Sequence, residues 1–360
     1  MFGTKNADST LKSAVLQLEK EAQKALKIEI ASVVTKEVVP PSGDRHDYMS
    51  QAPYFWKNPK TPNGLPYIRK DGERNPEIEK YPDHLLLDKL IDTVEKLSLA
   101  YYFTEKEEYA ERASQLLRMW FLDAKTKMNP NLEFAQAIPG INTGRGIGII
   151  ETRNLTAVID SIGLLEKSKA WTKNDQKGLE DWFSKYLDWL LTSKNGREEA
   201  AAKNNHGTFY DVQIVSFALF TRKNELATKV LETAKLKRIA SQIEPDGSQP
   251  LELERTKSWD YSVMNLEGLI RLAELGEIAK VDLWNFQTAD GRNIRRALEY
   301  LIKFKGKEAD WKQKQITPLK IEIIYPLIAR ASKIYRDEKF REIKNSITPK
   351  NDFRSILLNP

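Results

Sequence analysis

His84-Leu-Leu-Leu87-Asp-Lys-Leu90-Ile91-Asp-Thr-Val94-Glu-Lys-Leu97-Ser-Leu-Ala-Tyr101 decides the fold class. Leu87, Leu90, Ile91, Val94, Leu97 and Tyr101 recur at the i, i+3, i+4, i+7 spacing of one buried helix face. Thr104-Glu-Lys-Glu107 follows with the form of a capping box and predicts a second helix, with Tyr109, Ala113, Leu116, Leu117 and Trp120 on one face. The same periodicity predicts helices over about 149–168, 173–194, 207–221, 223–241, 259–275, 292–304 and 317–336. Residues 10–36 read as a charged amphipathic helix, and strand alternation is scarce. The fold class is therefore all-α. Successive helices joined by short links pack as antiparallel hairpins, so about six or seven of them closing into an (α/α) toroid is the expected architecture. An open α-solenoid is the alternative. A single domain over 1–360 is expected, because the irregular stretches 40–82, 128–148, 194–207 and 244–258 are spread along the chain as if each contributes to one site.

Composition narrows the function classes. The chain has 360 residues, 41% of them hydrophobic, enough for a substantial core. Lysine plus arginine exceed aspartate plus glutamate by 57 to 51, a net charge of +6 that suits a polyanionic partner. The basic residues alternate with acids and form no dense block, which argues against nucleic acid. There is no cysteine, hence no thiol chemistry, and no apolar run of about 20 residues to span a membrane. His46, His84 and His206 are far apart and no H-x-x-x-H occurs, so neither a metal nor another cofactor is expected. Gly144-Arg145-Gly146-Ile147-Gly148 lacks the preceding strand and the spacing of a dinucleotide loop, and a G-x-S-x-G elbow is absent.

Two stretches carry the candidate chemistry. Lys203-Asn204-Asn205-His206-Gly207 precedes an apolar segment and reads as the mouth of a helix whose body is buried. Pro250-Leu-Glu-Leu-Glu-Arg255-Thr-Lys257-Ser-Trp-Asp-Tyr261 is the second. Abstracting H5 of a uronic acid and expelling O4 needs donors to neutralise the carboxylate, a base near C5 and an acid near O4. Asn205, His206, Arg255 and Tyr261 supply that inventory, with tyrosine serving as base when a cation stabilises its phenolate. The long stretch 40–82 is rich in proline and aromatics and reads as a lid or strap, with Tyr48, Tyr54 and Trp56 as sugar platforms. Arg145, Arg153, Lys203, Asn204 and Lys257 are further contacts for an anionic polymer. A carboxylate pair drawn from Glu151, Glu252 and Glu254 keeps a toroid glycoside hydrolase open as an alternative. A non-catalytic protein binding an acidic glycan is another.

The Asn204-Asn205-His206 and Pro250-Leu-Glu-Leu-Glu-Arg255 motifs, followed by Tyr261, resemble the alginate lyase superfamily of toroidal polysaccharide lyases. The likeness is to family 5 at these motifs and to family 38, whose members cleave mannuronan or glucuronan, over 44–56 and 128–154. It spans about 40–275. The resemblance implies metal-free β-elimination on a β-1,4-linked polyuronate. In it, Asn205 and His206 help neutralise the carboxylate, Arg255 lies beside the catalytic tyrosine, and Tyr261 acts as base and then acid. One departure favours the family 38 branch: family 5 has one more residue between the arginine and the tyrosine, and a second arginine where this chain has Lys257 or Ser258. H5 and O4 lie on the same side of the ring in mannuronate and glucuronate, so a single tyrosine can serve both steps (syn elimination). Polymannuronate is the expected substrate, glucuronan the next. A monomer is expected, and the substrate class implies a periplasmic or secreted protein whose export signal would lie outside this sequence.

Overall fold

The structure, a computed structural model, describes residues 4–348 and 353–358, with side chains from residue 11 onward. Its first helix, α1 (Thr4–Ala25), buries Ala14, Leu18, Ala22 and Ala25, one residue per turn. The helix ends well before residue 36, the end expected from the charge pattern. Ile28, Ile30, Val33 and Val34 lose side-chain freedom in a helix, and residues Val33–Thr35 form only a 3₁₀ turn.

The strap that follows carries β1 (Met49–Gln51), β2 (Phe55–Trp56) and β3 (Ile68–Arg69), with β2 and β3 antiparallel. α2 (Asp83–Thr104) buries the whole stripe from Leu87 to Tyr101. α3 (Glu107–Leu117) runs into a π-helical turn at Arg118–Leu122. The capping box expected at its start does not form. Thr104 still belongs to α2 and donates its hydroxyl to the Ala100 carbonyl at 2.6 Å, Glu105 turns the chain with φ 56°, and Lys106 is the cap residue. β4 (Phe134–Ala137) lies parallel to β1 with an irregular register, and a 3₁₀ segment, Gly146–Thr152, leads to α4 (Leu155–Leu165).

α5 (Lys173–Thr192) does begin with a capping box, Thr172 paired with Asp175. α6 (Lys194–Ala201) occupies a stretch that reads as loop because Lys194, Asn195 and Gly196 open it and no apolar stripe follows. α7 (Asn205–Phe220) is buried on every side from Gly207 to Ala218, as its apolar sequence predicts. α8 (Asn224–Ala234) passes into a second π-helical segment, Lys235–Ala240. Then come the short α9 (Pro250–Leu253), the long α10 (Ser258–Ala279), α11 (Ile294–Ile302), α12 (Tyr325–Tyr335), α13 (Glu338–Ser346) and α14 (Phe353–Leu358). The helix expected to begin at 317 starts as a 3₁₀ turn at Ile321 and becomes α12 with Pro326 in its first turn, where a missing N–H costs nothing. α13 was not expected; Asp337 caps it by accepting the Lys339 N–H at 2.9 Å. Helices dominate and the strands are two small pairs, so the all-α class holds.

The described residues form two compact units. One comprises Lys20–Ala201 and Ser216–Lys223. In it α2 packs on both α3 and α4, and Phe121, Trp182, Phe183, Tyr186 and Phe217 make an aromatic core with centroid distances of 4.8 Å (Phe121–Trp182) and 5.0 Å (Phe183–Phe217). The other comprises residues up to Glu19, Ala202–Val215 and everything from Asn224 onward. Its centre is α10, which packs on α8, α9, α11 and α12 and buries Leu266, Leu269, Ile270, Leu272 and Ala273.

One ion pair in the first unit makes a clean test. Arg118 donates from Nε and Nη2 to both carboxylate oxygens of Asp175, at 2.8 and 2.7 Å. Burial alone would raise the Asp175 carboxyl, but Arg118 and Thr172 outweigh it and hold it at about 2. Asp175→Asn is expected to cost about 1–2 kcal/mol at neutral pH, discounted for the partly exposed arginine. Because the folded-state value is depressed, this contribution is complete above about pH 4 and is lost as pH falls through about 2. Urea melts of the two proteins should therefore differ near neutrality and draw together at about pH 2. A gap that does not narrow would rule the ion pair out as its source.

Candidate active site

Asn204 ends the link from α6 and caps α7, its side-chain oxygen accepting the His206 N–H at 3.3 Å and its carbonyl the Thr208 N–H at 3.3 Å. The turn is clamped from the segment after α8. Arg238 forks onto Asp211 at 2.7 and 3.2 Å, a buried pair, and donates to the Ala202 carbonyl at 2.5 Å. Gly207 is required here, because a Cβ would collide with the Ala202 carbonyl oxygen and the Arg238 guanidinium. Asn205 is 0% exposed, and its backbone N–H and side-chain amide each donate to one oxygen of Glu252, both at 2.7 Å. His206 is half-buried.

Glu252 comes from α9, where Pro250 sits in the first turn. It is 1% exposed. Burial raises its carboxyl above the usual range, opposed by the two Asn205 hydrogen bonds and by the charges of Arg255 and His206. Those opposing charges place Arg255 and His206 around the same carboxylate. Arg255, one turn further on, lays its guanidinium over the Tyr261 ring with Cζ 3.7 Å from the centroid. Arg255 and Tyr261 are both half-buried, and Tyr261 lies in the first turn of α10, with its N–H on the Lys257 carbonyl at 3.0 Å. This unit thus gathers Asn205, His206, Glu252, Arg255 and Tyr261: a held amide, an imidazole, a buried carboxylate, and a guanidinium stacked on a phenol. Lys257 lies beside Gln315 in an isolated antiparallel bridge, with Ser258 N–H on Lys314 O at 3.1 Å and Ile316 N–H on Thr256 O at 2.9 Å. Lys203 is exposed.

The other unit holds the remaining candidates. Tyr48, expected to be a sugar platform, is 0% exposed and donates its hydroxyl to Glu151 at 2.8 Å, so its ring offers no face to a ligand. The three residues of β1 that follow it, Met49, Ser50 and Gln51, are buried as well. Burial, with Glu151 alongside, pushes the Tyr48 phenol well up. Ser50 donates to the same Glu151 oxygen at 2.6 Å and accepts the Gln136 N–H at 2.7 Å. Arg145 donates to the Gln136 side chain at 2.8 Å and stacks over Phe55 at 5.1 Å. Gln136 holds a φ of 50°, a left-handed conformation that a side chain of its size adopts at a cost. Burial lowers the Arg145 guanidinium to about 10, reinforced by Arg69 and opposed by Glu151 and Glu199. The glycines flanking Arg145 serve packing: a Cβ at Gly144 would strike the Glu133 carbonyl, and one at Gly148 the Ala135 side chain. Tyr54 and Trp56 are half-exposed; Lys70 lies over the Trp56 ring at 5.2 Å, and the Trp56 indole N–H donates to the Glu73 carbonyl at 2.9 Å. Arg153 is half-buried with Nη1 on the Ile150 carbonyl at 3.2 Å.

The carboxylate pair of the hydrolase alternative is poorly disposed, since Glu151 and Glu252 are both buried and each accepts two hydrogen bonds. Among the described residues no three His, Asp or Glu side chains cluster as a metal site, and no helix is long and apolar enough to cross a membrane. Sequence reasoning placed Glu252 among hydrolytic acids and missed its hold on Asn205. The one available signal was its position within the Pro250–Arg255 motif.

A family model described as alginate lyase matches residues 32–311. A crystal structure of an alginate lyase from Bacteroides ovatus is similar over 97% of this chain and 94% of that one, with a TM-score of 0.94 and 42% sequence identity. Alginate lyase A1-III from Sphingomonas species A1 has a similar fold, with a TM-score of 0.57 and 17% identity over 91% of this chain and 87% of its own. A variant of A1-III complexed with a tetrasaccharide gives a TM-score of 0.58 and 16% identity over 92% and 88%. A search of curated proteins gave no match.

Proposed function

The chain belongs to the alginate lyase family, and from that premise we propose that it cleaves polymannuronate by syn β-elimination, with Tyr261 as both base and acid. That it is a polysaccharide lyase acting on alginate follows from the family; the uronate preference and the residue roles are the proposal. The observation that carries it is Arg255 stacked on Tyr261 at 3.7 Å, beside the Asn205–Glu252 pair and His206.

In this reading the uronate carboxylate is met by Arg255, by His206 and by the second amide hydrogen of Asn205, the first being held by Glu252. Withdrawing charge from the carboxylate makes H5 acidic. The Tyr261 phenolate takes H5, the electron pair left on C5 forms the C4=C5 double bond, and the C4–O4 bond breaks. The tyrosine then gives its proton to O4 of the departing chain, which restores the phenolate. Guanidinium charge on the ring face favours that phenolate. Lys203 and Lys257, in the same unit as Tyr261, serve as contacts to neighbouring carboxylates; Tyr48 is a buried support for Glu151. Such a substrate implies a periplasmic or secreted protein.

The test is turnover of polymannuronate, glucuronan and polyguluronate, followed by the ultraviolet absorbance of the conjugated double bond. Absorbance should rise fastest on polymannuronate, next on glucuronan and least on polyguluronate, whose H5 and O4 lie on opposite ring faces. Turnover of polyguluronate alone would overturn the syn assignment, and no rise on any of the three would overturn the proposal.

A further inference from the structure

Tyr261 and Asn265 are four residues apart on α10 and share one face of it. Asn265 is fully buried, and its amide nitrogen donates to two glutamine oxygens, Gln242 Oε1 and Gln249 Oε1, each at 2.8 Å. Both amide hydrogens are thereby used, which fixes the orientation of the group.

Each glutamine leads to one of the two motifs. Gln242 also accepts the Thr208 hydroxyl at 2.9 Å and donates to the Asn204 carbonyl at 3.4 Å, so it grips the turn that presents Asn205 and His206. Gln249 donates to the Ser262 carbonyl at 3.0 Å, next to Tyr261, and its own carbonyl accepts the Glu252 and Leu253 N–H groups at 3.0 Å each. It therefore anchors the start of α9, which carries Glu252 and leads two residues on to Arg255. Three neutral amides are not needed to fill a buried space, and leucine or methionine would occupy it. Buried amides hold a geometry that apolar packing does not specify.

We propose that Asn265 is a positioning residue of the lyase: through Gln242 and Gln249 it sets the Asn205–His206 turn and the Glu252–Arg255 segment in register with Tyr261. The inference rests on the reading of Tyr261 as the reacting group. It assigns Asn265 no contact with substrate. Loss of Asn265 should then lower kcat and leave KM nearly unchanged, because the register matters most when charge develops on the carboxylate.

The experiment measures kcat, KM and melting temperature on polymannuronate for Asn265→Ala and Asn265→Asp, with Tyr261→Phe and Leu272→Ala alongside. Leu272 is buried on the same helix and lies outside the amide network. Asn265→Ala should lose about 10- to 100-fold in kcat with KM within about threefold, as expected for a small misplacement of reacting groups. Asn265→Asp keeps the shape but, when ionised, faces two oxygens without a hydrogen to give. It should be the worse of the two near neutrality and should regain activity relative to wild type as pH falls and the acid protonates. Leu272→Ala should lose stability and keep kcat within about twofold. Should the Asn265 variants not fold, Gln249→Met cuts one tether and is expected to lower kcat about fivefold. Wild-type kcat in folded Asn265 or Gln249 variants while Tyr261→Phe is inactive overturns this inference alone. So does an equal loss in Leu272→Ala, which would make the effect one of stability. An active Tyr261→Phe overturns the reading on which it rests.

Discussion

Tyr261→Phe is expected to lower kcat by about 10³–10⁴-fold while the protein melts within a few degrees of wild type. The phenol oxygen is the group asked to take H5 and to return a proton to O4, so its removal deletes both transfers at once. The ring remains, and with it the stacking of Arg255 at 3.7 Å, so substrate binding should change little and KM should stay within a small factor. The measurement is initial rate on polymannuronate by absorbance of the unsaturated product, with thermal melts as a control on folding. A variant that keeps more than about a tenth of wild-type kcat would remove Tyr261 from the proton transfers, given the range that acid–base catalysis supplies.

Arg255→Ala comes next in size, with an expected loss of about 10²–10³-fold in kcat. Two contributions vanish together: a donor to the uronate carboxylate and the positive charge on the face of the tyrosine. Lysine should restore little, because the flat guanidinium that covers the ring at 3.7 Å is replaced by a compact ammonium on a mobile stem. The rate profile of Arg255→Ala should also move to higher pH, since a phenolate without its neighbouring cation forms less readily. Full rescue by Arg255→Lys with an unmoved profile would mean that Arg255 contributes charge at a distance and not the stacked arrangement.

Much of this was legible from local pattern. The Leu87–Tyr101 stripe is buried as its spacing demands, because periodicity reports one face of one helix and nothing further away. The Asn204–His206 and Pro250–Tyr261 stretches also announced themselves: polar residues opening an apolar helix, and an arginine and a tyrosine at the entry to another. The failures have equally particular causes. Thr104 satisfies the pattern of a capping box yet donates backward to Ala100, since α2 runs one residue past the point where a cap was needed. Tyr48 lies in an aromatic strap that reads as a lid, and its burial depends on Glu151, 103 residues away.

What the sequence by itself determined is therefore the helical class, the buried faces of the long helices, and the two stretches, Asn204–His206 and Pro250–Tyr261, from which the proposed site is drawn. Tertiary structure alone decided how those residues are held: Glu252 gripping Asn205 across 47 positions, Arg238 clamping the turn, and Asn265 joining Gln242 to Gln249. The physical reason is that an amide or carboxylate in a helix reads as solvent-facing unless its partner is known. Removing such a group from water is tolerable only when hydrogen bonds replace those lost, and here the replacements come from residues that only the folded chain brings near.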